Sequence, residues 1–139
     1  MKEKQFTKHA IQLEKIIVNE ASFKLTEYSG QLVLPNPKFL IGKSEYDKQN
    51  HLVSIGFMVK IEGDQFNYTC TIEIVGLFSV DENKFDISKI DDWGDKNAPF
   101  ILLPYLRQYL FNLTIMFSGE GFTLPLVEVP TSGTPISEN

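Results

Sequence analysis

The sequence has few of the residues on which catalysis and metal binding usually depend. It contains one cysteine, Cys70, so no disulfide can form within the chain, and the alternating pattern around it favours a buried filler over a reactive thiol. Its histidines, His9 and His51, form no metal-ligand spacing with that cysteine. No Gly-x-Ser-x-Gly sequence, phosphate-binding loop or dinucleotide-binding fingerprint occurs. We therefore expect no catalytic residue, metal or cofactor, and thus no enzyme.

The sequence also has fewer basic than acidic residues. The chain has 13 Lys and Arg against 18 Asp and Glu, a net charge of -5. A surface that follows nucleic-acid phosphates needs an excess of basic residues, so we expect no nucleic-acid partner. The opening residues Met1–Phe6 are charged and lack the apolar stretch of a secretory leader, which predicts a cytoplasmic protein. The acidic stretch 81–98 predicts a solvated loop with a short helical turn, since the ligand spacing of a calcium loop is absent.

A long uninterrupted apolar run is missing as well. The most apolar stretch, 99–118, is interrupted by Pro104, Arg107 and Asn112, whereas a membrane span needs about 20 nearly continuous apolar residues. We therefore expect no membrane insertion. Its apolar residues recur at helical spacing, which predicts an α-helix that begins near Pro104 or kinks there and ends at Gly119.

This helix is apolar over most of its circumference, outside a polar stripe at Arg107, Thr114 and Ser118. One sheet covers only one side of a helix, so we expect a second subunit to cover the remainder, in a dimer or a tetramer. The predicted interface residues are Leu106, Tyr109, Leu110, Leu113, Met116 and Phe117.

The rest of the chain favours β-strands within one domain, 1–139, whose last residues 131–139 look frayed. A long strand is predicted over 8–25, with a bulge where the apolar phase shifts at 16–18, and a short strand begins at Phe39. Alternating apolar residues predict a hairpin over 51–80. A two-residue turn at Gly63 and Asp64 would pair Ile61 with Phe66.

Apolar residues also occur in segments that proline interrupts, the connection 26–38 and the stretch after the helix. Two interpretations remain open: they line a groove for extended polypeptides along a subunit edge, or they pack against the core. The candidate peptide-binding residues are Tyr28, Leu32, Val33, Leu34, Phe39, Phe122, Leu124 and Leu126.

Several segments, in their order and spacing, resemble SecB, the bacterial protein-export chaperone. They are Ile11–Ile16, Cys70–Val80, Ala98–Arg107 and Gly121–Pro130. The resemblance implies an α+β fold, a four-stranded antiparallel sheet with one long helix packed on one face, assembled as a dimer of dimers. It also implies an ATP-independent holdase for unfolded or extended polypeptides, in export or beside a toxin–antitoxin system. The alternative is a non-catalytic oligomeric scaffold, or a domain for small ligands or peptides, that retains only the fold.

The chain departs from the SecB pattern in the parts that contact the SecA motor. The family continues into a second helix and an acidic tail, whereas this sequence stops at Asn139. Of the acidic sheet positions, Glu20 matches, Lys24 reverses the charge, and Thr71 stands where the resemblance implies a glutamate. We therefore expect SecA coupling to be weak or absent, with Glu20 as the candidate contact.

Overall fold

The computed structural model describes residues 1–25, 37–61, 68–118 and 121–124. Within them the chain forms strands β1 (Ile11–Leu25), β2 (Lys38–Lys43), β3 (Leu52–Ile61) and β4 (Tyr68–Val80), then a 3-10 turn (Ile87–Lys89) and helix α1 (Ile90–Ser118). The strands form one antiparallel sheet in the order β1-β4-β3-β2. This architecture confirms the expected α+β fold.

The core lies between one face of the sheet and α1. In β3 every second residue from Val53 to Ile61 is buried, and the residues between them are only half-buried. In β4 the same alternation runs from Cys70 to Val80. Because successive side chains of a strand point to opposite faces, one face of the sheet packs under the helix, and no helix or strand of the described residues covers the other. We call the second one the free sheet face.

The register of the β3–β4 hairpin corrects our prediction. Ile61 pairs with Cys70 rather than with Phe66, a displacement of four residues, 70 against 66. An even displacement leaves every side chain on the same face, so the predicted inward set is still the one that is buried. The alternation of apolar residues decides which face of each strand is buried, whereas the length of the connection between β3 and β4 decides which residues pair. The predicted turn residues, Gly63 and Asp64, lie outside the described residues.

Strand β1 confirms the expected long, irregular strand. Its pairing with β4 shifts between Leu13 and Lys15 and again between Val18 and Glu20. These irregularities flank the expected phase shift at 16–18, so the strand has one more than we predicted. Each bulge adds a residue to one strand and restores the apolar residues to the helix side.

Helix α1 begins much earlier than the sequence indicated. We expected a loop as far as residue 98, whereas the helix starts at Ile90 and contains both Pro99 and Pro104. Ile90 and Ala98 are buried against the sheet. Gly94 lies so close to β3 that an added Cβ would be 3.1 Å from Ile55 Cδ1. Packing against the sheet therefore holds a helical turn that local composition did not favour.

An ion pair fixes the same helix start to the sheet. Lys43, the last residue of β2, places its Nζ 3.6 Å from Asp91 Oδ1 and 3.4 Å from Asp95 Oδ2. The acidic residues of the expected loop thus lie in the first turns of a helix, where negative charge is favourable. Among the described residues, no group of His, Cys, Asp and Glu is arranged to hold a metal ion.

Candidate functional site

The most distinctive surface of the molecule is the side of α1 that faces away from the sheet. It carries large apolar side chains whose exposed fractions range from 37% for Ile101 to 71% for Met116. We call this set the outer helix surface: Phe100, Ile101, Tyr105, Phe111, Ile115 and Met116. Arg107 is the only charged residue between Asn97 and Ser118. An exposed apolar patch of this kind on a small chain marks an interaction site.

The inner side of the helix explains why so much apolar surface is left outside. Ala98, Leu102, Leu106 and Leu110, spaced by four residues, are fully buried against the sheet. Thr114 continues this stripe and is also fully buried, although we had placed it on the polar side of the helix. One sheet accommodates one stripe of a helix, so apolar residues on the far side of α1, among them Phe100, Ile101 and Met116, stay exposed.

Thr114 has a structural role that its polarity did not suggest. Its Oγ1 donates to the carbonyl oxygen of Leu110 at 2.9 Å and accepts from the backbone N–H of Phe122 at 2.7 Å. The segment after the helix is thereby held against α1. Next to it, Gly121 lies against the ring of Phe111, so an added Cβ at this position would clash with that ring.

The candidate peptide-binding residues fall into different places. Phe122 and Leu124 are buried in the core, so we no longer assign them to a binding groove. Phe39 is half-buried in β2 and stacks on Phe57, with ring centroids 5.5 Å apart. Beside it on this edge strand, Leu40 is 52% exposed. The remaining candidates lie outside the described residues: Tyr28, Leu32, Val33, Leu34 and Leu126.

The predicted interface residues differ in their accessibility within one chain. Leu106 and Leu110 are fully buried and support the outer helix surface from beneath. Tyr109 and Leu113 are half-buried and pack against the core. Met116 and Phe117 are exposed, and the ring of Phe117 stacks on that of Phe23 at 5.5 Å. The sequence prediction did not include Phe100, Tyr105 and Ile115, which are also exposed, because only the buried stripe reveals which side of the helix faces outward.

Glu20, the candidate SecA contact, lies on the free sheet face directly opposite Glu73 of β4. The side-chain amide of Asn19 donates to Glu73 Oε2 at 3.0 Å. Lys24 pairs with Thr69 and Thr71 with Ser22 further along the same strands. The face therefore carries a local pair of carboxylates, which the sequence did not single out.

The ionisable groups with shifted pKa values lie elsewhere and have structural causes. Burial raises the pKa of the Cys70 thiol to about 11, which agrees with an inert core residue. The hydroxyl of Tyr46 donates to Glu82 Oε1 at 2.6 Å, and His51 Nδ1 lies 3.1 Å from the same oxygen. Burial, followed by the contact with Glu82, raises the pKa of Tyr46 to about 12. These contacts tie the loop before β3 to the end of β4.

The length and composition of the segment Ile87–Phe117 would also suffice for a membrane span, and no other described helix meets this test. Core helices of soluble proteins pass the same criterion. Here the inner stripe from Ala98 to Leu110 is already packed on the sheet. The absence of membrane insertion stays a prediction, and this packing favours it.

Comparisons with known proteins identify a solved structure with a similar fold. No family model matches the chain, and no curated protein matches it. The SecB-like chaperone Rv1957 of Mycobacterium tuberculosis, solved in complex with a ChAD peptide from the Rv1956 HigA1 antitoxin, matches with a TM-score of 0.69 and 16% identity, over 85% of this chain and 91% of that one. A protein of unknown function from Streptococcus agalactiae matches with a TM-score of 0.45 and 15% identity, over 84% and 97% of the respective chains. The chain therefore has a SecB-like fold.

Proposed function

We propose that the protein is an ATP-independent, cytoplasmic chaperone that holds unfolded or extended polypeptides on its outer helix surface. The observation that carries the proposal is the exposure of Phe100, Phe111 and Ile115 on a helix whose other side is already packed. Burying a large apolar side chain contributes about 1.5–3 kcal/mol, so several such contacts suffice for reversible binding of apolar segments. The SecB-like neighbour, which was solved with a bound peptide, supports polypeptides as the ligand class.

A holdase needs neither a metal nor a catalytic group. Among the described residues, the buried Cys70 and the pairing of Asp91 and Asp95 with Lys43 are consistent with such a role. The proposal concerns polypeptide binding alone, and it does not specify the client or choose between export and a toxin–antitoxin role. Our expectation of weak SecA coupling stays a prediction, and titration of the protein against SecA at varied salt concentration measures it.

An aggregation assay tests the proposal. An excess of the protein should delay the light scattering of a chemically unfolded client, equally with and without ATP. Phe100→Ser together with Ile115→Ser should weaken the delay several-fold, because both side chains are exposed on the outer helix surface. Leu40→Ser is the matched control, since Leu40 is similarly exposed on the free sheet face. If the wild-type protein neither delays aggregation nor binds any extended polypeptide, the chaperone proposal is wrong and the scaffold role is the alternative.

A further inference from the structure

The segment before β1 carries a large apolar side chain in water. Residues 1–9 form neither helix nor strand, and every one of them is exposed. Phe6 is 94% exposed, more than any residue of the outer helix surface. Because an apolar ring in water gains free energy when it is buried, this segment favours contact with an apolar surface within its reach.

The end of this segment is anchored beside the start of α1. The ring of His9 stacks on that of Trp93, with centroids 6.5 Å apart, and His9 Nδ1 accepts from the backbone N–H of Ile11 at 3.0 Å. The backbone N–H of Asp81 donates to the carbonyl oxygen of Ala10 at 2.8 Å. The chain before His9 therefore leaves the sheet next to the first turns of the helix.

The outer helix surface begins within reach of this anchor. Trp93 and Phe100 are seven residues apart in α1, so they lie on the same side of the helix, about 10 Å apart along its axis. Phe6 precedes His9 by three residues, which span about 10 Å in an extended chain. Phe6 can thus contact Phe100 while His9 stays on Trp93.

The charges of the two segments are complementary. Residues 1–8 contain three lysines and one glutamate, whereas residues 90–96, the first turns of α1, contain three aspartates and one lysine. Asp92 lies 3.0 Å from Lys96, yet 65% of its side chain stays accessible. Opposite charges attract over distances up to the screening length of about 8 Å at physiological salt, and the anchor at His9 holds the segment beside these turns.

We propose that residues 1–8 form a strap that closes over the first part of the outer helix surface, with the ring of Phe6 on that of Phe100, and competes with clients there. In this structure the strap is open, since all of its residues are exposed. Tethering gives it an effective concentration in the millimolar range, so even a weak contact covers the site for part of the time. The inference rests on the proposed function, because it concerns how access to that surface is limited.

Nuclear magnetic resonance tests the contact without any client. Phe6→Ser should shift the backbone amide resonances of Phe100 and Ile101, because it removes the ring that packs there. Gln5→Ser is the matched control at the neighbouring exposed position and should leave these resonances unchanged. If Phe6→Ser leaves them unchanged as well, the strap does not close on α1 and the inference is wrong.

Fluorescence anisotropy with a labelled peptide rich in Phe and Leu measures the competition. Deletion of residues 2–7 and Phe6→Ser should each raise the affinity for this peptide about threefold, the factor expected if the strap covers the site for about two thirds of the time. Gln5→Ser should keep the wild-type affinity. The difference between the wild type and the deletion should narrow as salt is raised, because salt weakens the attraction between the strap and the helix start.

The outcomes separate the strap from the function beneath it. Equal affinities of the wild type, the deletion and Phe6→Ser for the peptide overturn the strap and leave the chaperone proposal intact. If none of the three proteins binds the peptide, the proposed function is wrong and the competition with clients is wrong with it.

Discussion

At the scale of single residues, the most informative side chains are polar ones in unexpected places. Thr114 is buried where an apolar residue would complete the inner stripe, and its hydroxyl bridges Leu110 and Phe122. Arg107 is half-buried, and its Nε lies away from solvent without a hydrogen-bond partner. The Thr114 hydroxyl satisfies its neighbours within the chain and is therefore structural.

Thr114→Val should destabilise the protein by about 1–3 kcal/mol, because it leaves the buried N–H of Phe122 without its acceptor while preserving the side-chain volume. Chemical denaturation followed by circular dichroism measures the change. Thr71→Val is the control, since Thr71 is half-buried on the free sheet face, and it should alter stability by less than about 0.5 kcal/mol. Equal effects of both substitutions would show that the Thr114 bridge contributes nothing.

Glu82 should make stability depend on pH. Its hydrogen bonds with Tyr46 and then His51 hold its pKa below the ordinary value of 4.5. A carboxyl group with a lowered folded-state pKa stabilises the protein above its unfolded-state pKa, and this contribution is lost as the pH falls through the folded-state value.

The melting temperature of Glu82→Gln should therefore lie below that of the wild type above about pH 5, and the two should converge as the pH falls below that range. Thermal unfolding across that range measures the difference. Glu45→Gln, on the loop that also carries Tyr46, is the control. A gap between Glu82→Gln and wild type that stays constant with pH would contradict this assignment.

At the scale of elements, the contact between sheet and helix is close and depends on small residues. Gly76 of β4 lies under α1, where an added Cβ would be 2.7 Å from Leu102 Cδ2 and 2.9 Å from Phe78 Cε2. Gly94 of the helix approaches β3 in the same way. Because these glycines have no side chain, the inner stripe of α1 can pack closely against the sheet.

Gly76→Ala should lower stability by about 1–3 kcal/mol, because the methyl group forces Leu102 or Phe78 out of position. Gly42→Ala, in edge strand β2, should be neutral or slightly stabilising, since an added Cβ there has nothing within 4 Å. Thermal unfolding of the two variants measures both effects. If Gly76→Ala melts at the wild-type temperature, the helix must sit further from the sheet than the structure indicates.

At the scale of the whole molecule, the outer helix surface is too apolar to be left without a partner. Its uncharged row runs from Ile101 to Met116 with Gln108 near the middle, so an antiparallel pair of helices would set Ile101 of one copy against Met116 of the other. We infer that self-association uses this row, which leaves Phe100, Phe111 and Ile115 exposed for clients.

Light scattering at micromolar concentration should give a mass above that of the 15.9 kDa chain. Ile101→Glu should shift the protein toward the monomer, because it buries a charge in the paired row. Leu40→Glu, a similar change on the free sheet face, should leave the mass unchanged. A wild-type monomer at that concentration would refute self-association through α1.

The sequence by itself determined the buried face of β3 and β4, the presence of the long helix and the burial of Cys70. Alternation in β3 and β4 is a local property with a period of two, so it survives the four-residue error in register. Helical spacing placed Leu102, Leu106 and Leu110 on one apolar side of a helix, but it assigned Leu106 and Leu110 to a subunit interface, whereas all three are fully buried within the chain.

Only the tertiary structure decided the helix start, the strand register and the outward side of α1. Ile90 and Ala98 become helical because they pack on a sheet distant in sequence, and local composition does not record that contact. The apolar residues of α1 look alike in the sequence, so their division into core and surface depends on where the sheet lies. Phe122 and Leu124 are core residues for the same reason, whereas Phe100 and Ile115 stay exposed.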